Sequence, residues 1–332
     1  FSSVMTGTKQ ENTMPASSVY QSIRRFFVKA PFAHQQDLTG KTVIVTGCAP
    51  GSIGFETART LADWGATVVV TTRSTVEKTV QALRVVTTGG AVDGHTLDLA
   101  SADSVAAFVA WFEKKYAGQL DILVNNAGIH LDLLSQWKAP QLTADGFEIQ
   151  WRINYLGTMH LTQLLLPLLQ ASGKKTGDAR IVNVVSQLHS KGFNAGLSGS
   201  YPYNSWTAYG MSKLALVHAT FELQRRYGGT DHVQAYCLHP GAVFTNIADK
   251  GLAGNGWLQA VRHALSPVER FSLLTPEEGA QTSIHCASHP DAAGGQYYQQ
   301  CRPRAAAADS ADAAVAAQLW EKTGHWVQSL AH

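Results

Sequence analysis

Residues 42–74 read TVIVTGCAPGSIGFETARTLADWGATVVVTTRS. Two runs, 42–47 and 67–72, are apolar almost throughout, and a glycine-rich bend and a helical pattern at 53–64 lie between them. A strand without polar alternation is buried on both faces, as in a parallel sheet covered by helices. Neighbouring parallel strands need a crossover, and a right-handed helical crossover meets that need. This stretch therefore predicts a strand–helix–strand unit with the bend at the carboxyl end of its first strand.

The alternation continues along the chain. Further strand-like runs fall at 91–99, 120–126, 179–186, 232–240 and 294–299, and helical patterns at 75–87, 101–117, 143–171, 207–227 and 276–287. The last helix opens with Thr275, Pro276 and Glu278, the signature of a capping box. The predicted fold is a Rossmann-type doubly wound α/β domain with a parallel sheet of about seven strands and helices on both faces. It spans 38–332 as one domain behind an N-terminal arm, 1–37.

Charge and composition exclude some partners. The 332 residues carry a net charge of +2 with scattered basic groups, which disfavours nucleic acid. Cys48, Cys237, Cys286 and Cys301 lie far apart, without metal-ligand or redox-pair spacing. That points to a reducing, cytoplasmic setting and to no metal site. No apolar run approaches the roughly 18 residues of a membrane span. The arm segment VYQSIRRFFVKAPF, 19–32, is expected to pack on the protein or a neighbouring subunit, with weak membrane-surface association as the alternative. A homodimer or homotetramer is the expected assembly. The chain opens on Phe1 rather than Met, which reads as a processed or partial start.

In a doubly wound fold, chemistry belongs at the carboxyl ends of the strands. Gly47, Gly51 and Gly54 allow a sharp turn and close backbone approach, and the helix N-terminus behind them offers unpaired N–H groups. Together they suit a pyrophosphate, although a simple tight turn would use the same residues. The second strand ends Thr71-Thr72-Arg73-Ser74, with no carboxylate to repel a 2′-phosphate. An arginine binds such a phosphate through a fork of donors, so NADP(H) is preferred and NAD(H) remains possible.

A second cluster lies downstream. Tyr209 and Lys213, four residues apart, share one helix face. A phenol is a poor base at neutral pH, and an adjacent ammonium would favour its ionised form. Tyr209 could then exchange a proton with a carbonyl or alcohol oxygen. Ser186 ends a strand and could hydrogen-bond the same oxygen, or be an ordinary strand-end serine. Asn154, in the middle of a predicted helix, is either a water holder linked to Lys213 or a core-bridging amide.

In order, TGCAPGSIG, NNAG at 125–128, Asn154, Ser186, YGMSK at 209–213 and HPGAVFT at 239–245 resemble the motif set of the short-chain dehydrogenase/reductase family. The resemblance covers about residues 38–300, and in finer detail it is similar to the retinol-dehydrogenase-like and WW-domain-oxidoreductase-like branch. It implies Tyr209 as the acid/base, Lys213 as the group that lowers its pKa and binds the nicotinamide ribose, Ser186 as the substrate-orienting hydroxyl and Asn154 as the fourth member. It implies that Gly47, Gly51, Ser52, Ile53 and Gly54 hold the pyrophosphate. Arg73 and Ser74 would face the adenine ribose, and Asp98 and Leu99 the adenine. Asn126, Ala127 and Gly128 would line the crevice, and Pro240, Gly241, Val243 and Thr245 the nicotinamide carboxamide side. Ser52 is one residue more than the family loop usually has, so either Gly51 or Ser52 takes the usual glycine position.

Loops at 187–206 and 246–270 are expected to cover the substrate. Phe193, Tyr201, Tyr203, Trp206 and Trp257 form either an apolar wall or anchors for their own loops. His189 reads as a packing residue. The expected activity is NADP-dependent hydride transfer between nicotinamide and the carbonyl or secondary alcohol of a bulky apolar substrate. The competing readings are a non-catalytic dinucleotide sensor or scaffold, and an extended-branch epimerase or dehydratase. Residues 246–332 are too short and simple for the substrate domain such an epimerase carries.

Overall fold

The computed structural model describes residues 31–134, 136–198, 201–243 and 273–330. Its strands are β1 (Thr42–Thr46), β2 (Thr67–Thr72), β3 (Val92–Thr96), β4 (Ile122–Asn125), β5 (Ala179–Val184), β6 (Val233–His239), β7 (Gln296–Gln299) and β8 (Arg302–Arg304). They form one sheet in the order β3-β2-β1-β4-β5-β6-β7-β8. All pairs are parallel except the last, β7 with β8.

Among the described residues the sheet thus has eight strands, against the expected seven or so. The additional strand is the exposed tripeptide Arg302-Pro303-Arg304, turned back by Gln300 and Cys301, both at positive φ. Two exposed arginines around a proline carry no hydrophobic period, and an edge strand tolerates proline.

The helices are α1 (Ile53–Asp63), α2 (Val76–Val86), α3 (Ala102–Tyr116), the single turn α4 (Ile149–Trp151), α5 (Thr158–Thr176), the short α6 (Asn194–Ser198), α7 (Ser205–Leu223), α8 (Pro276–Ser288) and α9 (Ala313–Ser329). A π turn, Arg152–Gly157, joins α4 to α5. The long helix expected from residue 143 therefore begins at Ile149. Before it, Thr143 and Asp145 close a turn, and Leu142 bridges Glu148. The Glu148 carboxylate then caps the helix by accepting from the Trp151 N–H at 2.7 Å.

Both faces of the sheet are buried, as the unbroken apolar strands require. Val43, Val45, Val68, Val70, Val124 and Val182 face α1 and α8, packing with Phe55, Leu61 and Ile284. Ile44, Val69, Leu123 and Ile181 face α3, α5 and α7, packing with Phe108, Phe112, Leu165 and Leu216. Helix α9 closes this second layer with Leu319 and Trp320. The capping box at Thr275 forms: Glu278 N donates to Thr275 Oγ1 at 3.2 Å, and Thr275 N donates to Glu278 Oε2 at 2.8 Å. The strand order reverses between β1 and β4, so a crevice opens there at the carboxyl ends.

Candidate active site

The crevice is a cleft of about 480 Å³. Its lining includes Gly47, Gly51, Ser52, Ile53, Arg73, Asp98, Leu99, Asn126, Ala127, Gly128, Tyr209, Lys213 and Pro240. Residues spread over nearly two hundred positions of sequence thus converge on one wall.

The glycine bend has a definite local logic. Ser52 is the N-cap of α1: its hydroxyl accepts from Phe55 N at 3.2 Å and donates to Gly47 O at 3.3 Å. The extra residue is therefore a cap, and the glycine position falls to Gly51. Gly51 has a φ of +76°, and nothing lies within 4 Å of where its Cβ would be. That open, side-chain-free backbone before a helix N-terminus leaves room for a phosphate to approach closely. Gly54 does the opposite: a Cβ there would crowd Asn126 Nδ2 and lie 2.7 Å from Gly47 O. Gly54→Ala is therefore expected to push the bend apart, costing about 1–3 kcal/mol and weakening binding of a dinucleotide there about tenfold. A thermal melt and NADPH fluorescence titration check this; unchanged melting and affinity would refute it.

Thr46 ties the bend to the loop after β4. Its hydroxyl accepts from Asn126 N at 3.0 Å and from Ala127 N at 2.9 Å. Asn126 Nδ2 in turn donates to Thr46 O at 2.7 Å. Arg73 stands exposed at the rim, with no ion-pair partner among the described residues. Ser74, Gly241 and Val243 sit beside the lining rather than on it. Ser74 O accepts the Thr72 hydroxyl at 2.6 Å, and Val243 forms a parallel bridge with Leu274. Thr245, Trp257 and the 246–270 loop lie outside the described residues, as do 19–30 of the arm.

Tyr209 and Lys213 lie on α7, which Asn204 caps by accepting from Trp206 N at 3.0 Å and Thr207 N at 3.3 Å. Lys213 is buried, and its Nζ donates to Val184 O at 3.0 Å. Burial pulls the ammonium down to about 8. The Tyr209 phenol is pushed up to about 12, chiefly by burial, while a hydrogen bond with Ser186 draws it down. Lys213 Nζ lies 5.7 Å from the phenol ring centroid and donates to the β5 carbonyl of Val184.

Ser186 follows β5 and caps a single turn, Gln187–Lys191, accepting from Leu188 N at 3.2 Å. His189 is held as a packing residue: its Nδ1 is 2.7 Å from Ser186 O, its Nε2 accepts from Ala307 N at 2.9 Å, and burial lowers its pKa. Asn154 sits in the π turn, a distortion often found at functional sites. Its Oδ1 accepts from Ile129 N at 2.8 Å, and its Nδ2 donates to Ile129 O at 2.9 Å and Ser212 Oγ at 3.1 Å. A Cβ on Gly128 would lie 3.2 Å from Lys213 Nζ and 3.3 Å from Asn154 Oδ1, so these two side chains meet beneath one backbone position.

The family model described as "short chain dehydrogenase" matches residues 41–255. The chain belongs to the short-chain dehydrogenase family. Retinol dehydrogenase 12 of Mus musculus is 36% identical over 310 residues, covering 90% of each chain, which places this member in the retinol-dehydrogenase-like branch. Among solved structures, the Pseudomonas aeruginosa RhlG/NADP active-site complex matches with a TM-score of 0.59 at 26% identity, over 80% of this chain and 96% of that one. An NADH-dependent reductase A1-R′ complexed with NAD has the same fold, with a TM-score of 0.56 at 20% identity over 79% of this chain and 95% of the other. The chain is accordingly an NAD(P)-dependent short-chain dehydrogenase.

Two side chains that bear on this short-chain dehydrogenase site escaped the sequence reading. Arg152 is buried; its Nη1 donates to Leu99 O at 2.7 Å, its Nε to Asp145 Oδ2 at 2.6 Å, and its guanidinium lies 4.9 Å from the Trp326 ring. It thereby joins the π turn of Asn154 to the end of the β3 loop. Trp326 is far from it in sequence, and Asp145 reaches it from the turn before α4 rather than from a helix face. His130, directly after the NNAG loop, stacks on Tyr209. Its position two residues past Gly128 was the available signal. The loop aromatics divide: Trp206 packs against His130, whereas Phe193 and Tyr201 pack on each other.

Proposed function

We propose that this short-chain dehydrogenase is an NADP(H)-preferring alcohol dehydrogenase/carbonyl reductase acting on a bulky apolar substrate, with Asn154, Ser186, Tyr209 and Lys213 as its reacting set. The observation that carries the reading is the placement of the Tyr209 phenol and Lys213 together in the wall of the cleft that begins at the Gly51 bend.

The residues fit a dinucleotide. Gly51 leaves open space before the α1 N-terminus, and Arg73 at the rim offers its guanidinium to a 2′-phosphate. Gly47, Ser52 and Ile53 would flank the pyrophosphate, Asp98 and Leu99 the adenine, and Asn126, Ala127, Gly128 and Pro240 the inner part of the cleft. Ser74, Gly241 and Val243 would support that binding from beside it, and Thr245 would join them in holding the cofactor. When bound, the nicotinamide supplies or accepts the hydride.

The chain's own groups handle the rest. Tyr209 Oη gives a proton to the carbonyl oxygen in reduction and takes it back in oxidation. Ser186 Oγ hydrogen-bonds the same oxygen as charge develops on it. Lys213 holds the nicotinamide ribose and places a positive charge behind the phenol. Asn154 fixes the Ile129 backbone and Ser212, and so the floor on which Lys213 rests.

The likeness to retinol dehydrogenase 12 supports an apolar alcohol or its aldehyde as substrate. The segments 187–206 and 246–270 would cover it. The arm would pack on the body or on a second copy in a homodimer or homotetramer, and the setting would be cytoplasmic. No helix among the described residues is long and apolar enough to cross a membrane.

Turnover of retinoid, steroid, polyketide and aryl carbonyls with NADPH and NADH tests the reading. Binding of NADPH without turnover anywhere in that panel would favour a sensor instead. Arg73→Asp removes the fork and adds a like charge to the phosphate. It is expected to shift the NADPH/NADH preference in kcat/KM by about tenfold to a hundredfold toward NADH. An unchanged ratio would remove the basis for NADP(H).

A further inference from the structure

We propose that His130 is a positioning residue for Tyr209: its ring plates one face of the phenol, keeps water from that face and holds the ring in the plane from which the proton moves. The inference rests on the proposed role of Tyr209.

The geometry is specific. The two rings are nearly parallel, 14° apart, with centroids at 4.1 Å, an offset-stacked contact. The Trp206 indole braces the imidazole from its edge, at 4.7 Å and 87°, and Trp206 is itself pinned by donating Nε1–H to Leu133 O at 3.1 Å. The stack thus runs from the loop after β4 to the first turns of α7. His130 is 7% exposed, and its Nε2 is buried without a hydrogen-bond partner among the described residues. A buried polar nitrogen left unsatisfied costs free energy.

The groups around the stack explain its electrical state. Lys213 faces it from α7, Ser186 faces the phenol from the end of β5, and Trp206 is uncharged. Burial, helped by Lys213, holds the imidazole down to about 4, so at neutral pH a neutral ring covers the phenol. A neutral flat ring excludes water without adding a second positive charge beside Lys213.

The test compares His130→Ala with His130→Phe. The readouts are NADPH binding, kcat, and the pH titration of the Tyr209 13Cζ resonance, assigned by its loss in Tyr209→Phe. With alanine, water reaches the phenol, so the titration should move to lower pH by about one unit. The loss of ring orientation should cut kcat about tenfold at unchanged NADPH affinity. Phenylalanine keeps the plate and should restore both values. If the alanine variant does not fold, His130→Leu, bulky but not flat, takes its place in the comparison. An unshifted titration in the alanine or leucine variant, or no rescue by phenylalanine, would overturn the proposal. The titration needs no turnover, so it decides the role of His130 even if the wild-type protein reduces no carbonyl. That second result would instead strike the proposed activity.

Discussion

Tyr209→Phe is expected to lower turnover by about two to four orders of magnitude while leaving NADPH affinity within a factor of two. The substitution removes one oxygen and keeps the ring that stacks on His130 at 4.1 Å, so the wall of the cleft persists. What disappears is the phenolic O–H, the proton donor of the proposed reaction. Ser186 and Lys213 cannot replace it, because one is far too weak an acid and the other is turned toward Val184 O at 3.0 Å. The raised phenol pKa also fixes the sign of the pH dependence. A group near 12 is fully protonated at neutral pH, which suits donation to a carbonyl. Reduction should stay flat through neutral pH and fall only on the alkaline side. Oxidation needs the ionised form and should climb as pH rises. Steady-state rates in both directions, with NADPH binding followed by fluorescence, check each part. A phenylalanine variant within tenfold of wild-type kcat would remove Tyr209 from the chemistry.

The parts of this molecule that were legible in its sequence are those written in local patterns. The unbroken apolar runs at Val43–Val45 and Val68–Val70 announced strands buried on both sides, and the sheet buries them so. The Thr275–Glu278 capping box and the glycine bend were visible because their partners lie within a few residues. Features set by distant partners were not. Which of Ser52 and Gly51 caps α1, and which stays a bare turn, is a matter of backbone angles. Strand β8 exists because a turn at Gln300 and Cys301 returns three exposed residues to β7. Helix α9 is rich in alanine, and its Leu319 and Trp320 find a core only once α7 is in place. The Tyr209–Lys213 spacing correctly put both groups on one helix face. The direction of the phenol's pKa, however, turned on burial, which spacing does not encode.

Lys213→Met is expected to give a protein that is more stable and nearly inactive. Lys213 is 3% exposed, and burial lowers it from 10.5 to about 8, so keeping an ammonium there opposes folding. At 1.36 kcal/mol per unit, that opposition is on the order of 3 kcal/mol at neutral pH. Methionine has a similar length, no charge to desolvate and a flexible thioether that fills the space. Against this stands the lost hydrogen bond to Val184 O, worth about 1–2 kcal/mol. The balance is a gain of about 1–2 kcal/mol at pH 7. The pH dependence separates this cause from a packing effect. Between about 8 and 10.5 the unfolded chain binds this proton and the folded one does not, so wild-type stability rises with pH across that window. The methionine variant lacks that rise, and its advantage should vanish by about pH 10.5. Activity moves the other way: without the positive charge behind Tyr209 and the donor for the ribose, kcat/KM should fall about a hundredfold or more. Urea unfolding of both proteins at pH 7 and pH 10, beside NADPH-dependent turnover, reads all three effects. A variant less stable at pH 7, or one with wild-type turnover, would mean that the ammonium is neither strained by its burial nor used. A trade of stability for function is what a buried lysine in a working site should show.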